Sequence, residues 1–300
     1  MDYSLWPAAS RTWPEILEGA EYAERTGWHG VWIADHFMQN NDDLSVPVNE
    51  AMALLGALAA RTERVRVGSM VFGNTYRHPA VVANWAATMD QLSGGRFVLG
   101  VGAGWQVNEH EVYGIALPPV KELLARFEEA CQVIRGLLTE DRFSFDGTHY
   151  QLSGAPLEPK PAHLPLLIGA SGEKVALRIV ARYADEWNHW GLPELARHKG
   201  EVFRAHCEKL DRDPSTVRRS TQAMIKVIDA GDTEAEAYRD NLIAAGRPVV
   251  IGSAEQVLDT LSQYPDAGID ELLIPDSFYG SGNQRFDALE RLREEVLVKI

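Results

Sequence analysis

The chain has 300 residues, 45% of them apolar and 24% charged, with a formal net charge of −14. Such a balance describes a soluble globular protein with a large core, and the acidity argues against a general affinity for nucleic acid or anionic membrane. The longest nearly apolar stretch, Ala51 to Ala60, is too short to cross a bilayer. Met1-Asp2-Tyr3-Ser4 lacks the basic start and apolar run of a signal peptide, so a cytoplasmic location is expected. Cys131 and Cys207 stand far apart with no CxxC spacing, so neither a disulfide framework nor a metal site is indicated.

Short β-rich runs alternate with long amphipathic stretches, the pattern of parallel βα units. Tyr3–Trp6 reads as the first strand, and Thr12 can cap a helix running through Pro14 to Arg25 and ending at Gly27. Gly30–Ala34 is the second strand, followed by a polar loop from Asp35 to Pro47 and a helix from Glu50 to Thr62. Val65–Met70 is the third strand. A helix from His78-Pro79 to about Leu92 then turns at Gly94-Gly95 into the strand Phe97–Val101. After a long helix, Val120–Leu138, two β-like pieces flank Asp146-Gly147, a hairpin signal. This segment, near 140–165, reads as an insertion between units of a single domain covering 1–300.

Leu166–Gly169 resumes the pattern, with a helix expected over Glu173–Tyr183. Glu186–Trp190 is strand-like, Pro193–Leu210 helical, and Ala223–Ile228 is expected to be a late strand. Helices near Thr233–Ala245 and Ala254–Tyr264, a last strand at Glu271–Pro275 and a helix from Phe286 complete the chain. Roughly eight strands and as many helices fit a (β/α)8 barrel. The rival is an open doubly wound sheet, but the chain does not divide into halves of separate composition.

Three stretches in order carry a resemblance: Val31-Trp32-Ile33-Ala34-Asp35-His36-Phe37, Gly94-Gly95-Arg96 through Gly102-Ala103-Gly104-Trp105, and Ile168-Gly169-Ala170-Ser171-Gly172. With Val250–Val257 and Ala267–Asp270, they resemble the luciferase-like monooxygenase superfamily, in particular its deazaflavin (coenzyme F420)-dependent oxidoreductases. The resemblance implies a TIM barrel of the bacterial-luciferase type with a small insertion. It also implies a cofactor in the barrel mouth and, frequently, a homodimer.

Asp35 and His36 follow a strand, where barrel enzymes place their chemistry. A histidine there can manage a proton near neutral pH, and a neighbouring carboxylate can orient it; both are candidate catalytic residues. The bland alternative is a loop cap. Ser69 and Met70 end the third strand, where the family often has a non-prolyl cis peptide backing the cofactor; here the Ser69–Met70 bond is expected to be that peptide. Gly102 and Gly104 let a planar ring approach the backbone, and Trp105 can wall a substrate cavity. Asn108 matches a cofactor-contacting asparagine in similar proteins. In the family's sugar-phosphate dehydrogenases a glutamate proposed as an acid stands where this sequence has Trp105, which argues against that activity.

Ala170, Ser171, Gly172, Glu173 and Lys174 follow a strand at an expected helix start, where free N–H groups and the positive helix end suit a phosphate. Lys174 and Arg178 add positive charge, and Arg77-His78 is a second candidate anion contact. Glu109-His110-Glu111 is not read as a metal site, because consecutive residues point to different helix faces. The leading expectation is an F420-dependent oxidoreductase transferring a hydride to or from a small organic substrate. The alternatives are a two-component FMN monooxygenase, a non-catalytic flavin or deazaflavin carrier, and a phosphosugar isomerase or aldolase, which would want a catalytic Lys or Glu at a strand end.

Overall fold

A computed structural model describes residues 1–41 and 43–300. Strand β1 (Asp2–Trp6) leads to helix α1 (Trp13–Thr26), β2 (Gly30–Ile33), α2 (Ala51–Arg61) and β3 (Arg66–Ser69). The short β4 (Phe72–Gly73), α3 (Pro79–Ser93), β5 (Phe97–Gly102), α4 (Val107–Tyr113) and α5 (Val120–Thr139) follow. Next come β6 (Phe143–Asp146) and β7 (Gln151–Ala155), then β8 (Leu166–Gly169), α6 (Ala176–Tyr183), β9 (Glu186–Trp190), α7 (Pro193–Glu208) and β10 (Arg218–Gln222). The chain continues through β11 (Met224–Val227), α8 (Thr233–Ala244), β12 (Val249–Gly252), α9 (Ala254–Leu261), β13 (Glu271–Pro275) and α10 (Gly282–Glu295).

The termini of α1 show how local chemistry sets these bounds. The Glu15 carboxylate accepts the Thr12 backbone N–H at 2.9 Å at the start, and Gly27, at φ 77°, stops the helix in the left-handed region.

Eight parallel strands close on themselves in the order β1, β2, β3, β5, β8, β9, β10, β13, with β13 pairing back to β1 and β3 to β5. Helices pack outside, and a large apolar core lies between the two layers. β6 and β7 form the expected antiparallel hairpin outside the barrel. Two expectations change. The seventh barrel strand is Arg218–Gln222, while Met224–Val227 pairs with Val249–Gly252 in a separate two-stranded sheet. Helix α6 begins at Ala176, three residues later than expected, because Glu173–Val175 form a turn.

The barrel interior is layered. At the N-terminal end the buried Glu271 accepts hydrogen bonds from Ser4 at 2.5 Å and Trp32 at 3.0 Å. Arg66 joins Glu271 to Glu186, so the acids are paired. Above this ionic plug lies an apolar layer of Trp32, Val98, Leu167 and Leu273, packed with Met70. Blocked below by these layers, the interior opens toward the C-terminal ends of the strands, where parallel barrels carry their sites.

Candidate active site

A cavity of about 730 Å³ occupies that C-terminal mouth. Its wall draws on strand ends round most of the barrel: Trp6 at the end of β1, His36 after β2, Val71 after β3, Gly102 on β5, Gly169 on β8 and Trp190 on β9. Gln222, at the end of β10, adds the seventh.

His36 is held by Glu109: its Nδ1 lies 2.8 Å from Glu109 Oε1. Glu109 is fully buried on the inner face of α4, and its other oxygen accepts the Phe37 N–H at 2.8 Å. Tyr76 donates its hydroxyl to the same carboxylate. Burial works to raise the Glu109 carboxyl, but the bonds from His36, Tyr76 and Phe37 outweigh it and hold it below the usual range. Burial, then the bond to Glu109, pushes the Tyr76 phenol far up, so it stays a donor. An ionised Glu109 assigns the proton of His36 to Nδ1 and leaves Nε2 as the nitrogen free for the cavity. Trp105, more than half exposed, packs edge-on against the imidazole at 5.7 Å.

Asp35 does different work. Both its oxygens are gripped by Arg77, at 2.7 and 2.9 Å, and Oδ2 also accepts the Gly73 N–H at 3.0 Å. Burial pushes its carboxyl up, against the pull of the guanidinium. The expectation that Asp35 orients His36 is corrected: Glu109, distant in sequence, fills that place, and Asp35 anchors the β4 turn through Arg77. Arg77 is thereby committed internally, with Glu50 as its second partner at 3.0 Å.

The cis peptide is present one bond further along than expected, at Met70–Val71. Met70 and Val71 both reach the cavity wall, whereas Ser69 lies behind it, exchanging hydrogen bonds with Gly100 at 2.8 and 3.0 Å. Val71 presses against the neighbouring strands: a Cβ at Gly102 would stand 2.8 Å from it, and one at Gly169 3.0 Å. Gly104, at φ 97°, carries the chain round Thr75 to Trp105, where a side chain would be strained. Gly102, Gly104 and Trp105 all line the cavity.

Asn108 sits off the wall, its amide donating to the Gln39 carbonyl at 2.9 Å and the Asn41 carbonyl at 3.1 Å, and so ties down the loop after β2. Ala170 and Ser171 line the cavity; Gly172, Glu173 and Lys174 stand beyond it in the turn before α6. Glu173 pairs with Lys199 at 2.6 Å and His198 at 3.0 Å, and Arg178 is locked bidentately to Glu128. Among the described residues, Arg247 is the sole Lys or Arg on the cavity wall, exposed on the loop before β12.

Sequence reasoning missed Glu109, Tyr76, Gln222 and Arg247. For Glu109 the available signal was its place just after the β5 glycines. Gln222 lay hidden in an unrecognised strand.

The cavity suits a flat heterocycle: Gly102 and Gly169 leave room for Val71 to form one smooth wall, beside which Ala170 and Ser171 line the cavity. The family model for luciferase-like monooxygenase matches residues 3–249. An F420-dependent glucose-6-phosphate dehydrogenase of Amycolatopsis mediterranei is 31% identical over 95% of this chain and 94% of its own. A protein of the same name from Beutenbergia cavernae is 38% identical over 95% of this chain and 93% of its own. An F420-dependent secondary alcohol dehydrogenase, solved with an F420-acetone adduct, superposes with a TM-score of 0.85 at 23% identity, covering 98% of both chains. With its closed parallel barrel and a family match over most of its length, the chain belongs to the luciferase-like monooxygenase family.

Proposed function

We propose that this protein is an F420-dependent oxidoreductase that moves a hydride between the deazaflavin and a small organic substrate. The observation that carries this reading is His36, clamped through Nδ1 by the ionised Glu109 at the edge of a glycine-walled cavity. The full-length relatives named for F420 support the choice of cofactor.

Val71, Gly102 and Gly169 would take the face of the ring, with Met70 beside them. The turn from Ala170 to Lys174, together with Arg247, would take the phosphate end. F420 supplies a carbon that accepts or gives a hydride. The protein must manage the accompanying proton on the substrate oxygen. His36 Nε2 would take that proton in oxidation and return it in reduction, while Glu109 would stabilise the imidazolium formed. The same reading places the protein in the cytoplasm as a homodimer, a state that sizing by light scattering would check.

The test is His36→Ala. Turnover of reduced or oxidised F420 should fall about 10²-fold or more, the usual share of general acid–base catalysis, while F420 still quenches tryptophan fluorescence. Turnover equal to wild type would remove His36 from the reaction.

A further inference from the structure

We propose that the corner formed by Trp6, Trp190 and Gln222 is a substrate subsite for an uncharged planar ring bearing one hydrogen-bonding atom, such as an aryl ketone or aryl alcohol. The proposal rests on the reading of the cavity as a cofactor mouth and names the substrate class for it.

Trp6 ends β1 and Trp190 ends β9, with β13 and β10 between them, yet their rings meet at 5.5 Å with a 49° tilt. The pair spans one side of the mouth, and both rings line the cavity. Trp6 also packs on the apolar layer that contains Leu273 and Trp32. A hydrophobic corner of this kind gains most from a flat aromatic group, through buried area and offset or edge contacts.

Gln222 adds direction. It pairs in register with Trp190, is 3% exposed, and its Oε1 has no hydrogen-bond partner. Leaving such a buried atom unsatisfied is unfavourable, so a ligand group that meets it is favoured. The amide can accept from a hydroxyl or, turned over, donate to a carbonyl.

Charge points the same way. Asp35 is neutralised by Arg77, and Arg247 is exposed at the rim. A phosphate dianion drawn into this corner would find no buried cation to replace its hydration. The glycine-and-Val71 wall belongs to β3, β5 and β8, whereas this corner belongs to β9, β10 and β1, with His36 from the adjoining β2 loop between them. A ring held here shares the cavity with the cofactor without needing the same wall.

The experiment is a titration of F420-loaded protein with acetophenone, fluorobenzene and glucose 6-phosphate, read by calorimetry. Acetophenone should bind and glucose 6-phosphate should not. Trp190→Ala should weaken acetophenone about tenfold. Gln222→Leu should weaken it about fivefold while leaving fluorobenzene unchanged. F420 affinity should stay within about twofold in both variants. Should Trp190→Ala fail to fold, Trp190→Leu tests the same ring. Tighter binding of glucose 6-phosphate than of acetophenone would overturn the proposal. So would variants that lose F420 but keep acetophenone. If F420 itself does not bind, the functional reading falls, and the same titrations on the cofactor-free chain still decide whether the corner takes a neutral ring.

Discussion

Asp35 and His36 are neighbours in sequence but belong to separate networks. Asp35 forms a two-pronged pair with Arg77 and is 2% exposed. Replacing it by Asn leaves the largely buried Arg77 with only the exposed Glu50 as an ionic partner, so Asp35→Asn should lower the free energy of unfolding by about 3 kcal/mol. Urea denaturation measures this, and full stability with impaired turnover would instead make Asp35 a participant in the chemistry. Glu109 acts through His36. Glu109→Gln keeps the shape but removes the negative charge beside the imidazole, so turnover should drop about tenfold. Steady-state kinetics of the variant measure this, and turnover equal to wild type would leave Glu109 as packing only. The His36 position was legible because a histidine at a strand end has few structural duties. Its partner was not, because a bond spanning 73 residues leaves no local trace.

At the level of elements, the apolar strands and the capped helices could be read directly. Leu166–Gly169 and Glu271–Pro275 appear with the bounds expected, and α1 and α3 end at their glycines. β10 could not be read. Its sequence, RRSTQ, carries interior side chains that serve polar partners: Arg218 bonds Glu271, and Ser220 accepts from Asn188 at 2.9 Å. A strand whose inward face is polar has no hydrophobic alternation to detect. The neighbouring β9 supplies a pH test. His189 is 3% exposed and its Nε2 lacks a partner, and burial pushes its imidazole down to about 4. The folded pKa lies below the unfolded one, so its contribution is complete above about pH 6.5 and lost as pH falls toward 4. Between pH 7 and 4.5 this one group should remove about 2–3 kcal/mol of stability. His189→Asn should flatten that part of the acid profile in urea melts at the two pH values. Equal slopes for variant and wild type would show that His189 is already protonated or solvated in the folded protein.

For the whole molecule, the layered interior explains why the large cavity lies at the C-terminal face. The Glu271–Arg66–Glu186 plug and the Trp32–Leu273 layer close the barrel below the cavity. The net charge of −14 bears on the cofactor: F420 carries a phosphodiester and an acidic tail, and the overall field repels a polyanion. Arg178 is bound to Glu128, and Lys174 lies outside the wall. On the proposed reading, ring and phosphate contacts would supply most of the affinity, with the tail in solvent. Raising salt should then leave F420 binding unchanged or slightly tighter, since the field that it screens is repulsive and few fixed cations are involved. The central claim is the cofactor itself. The most direct measurement is a parallel titration of cofactor-free protein with F420 and FMN, followed by tryptophan quenching. The account predicts F420 binding at least about tenfold tighter than FMN; tight FMN binding with no detectable F420 binding would contradict it and favour a flavin monooxygenase.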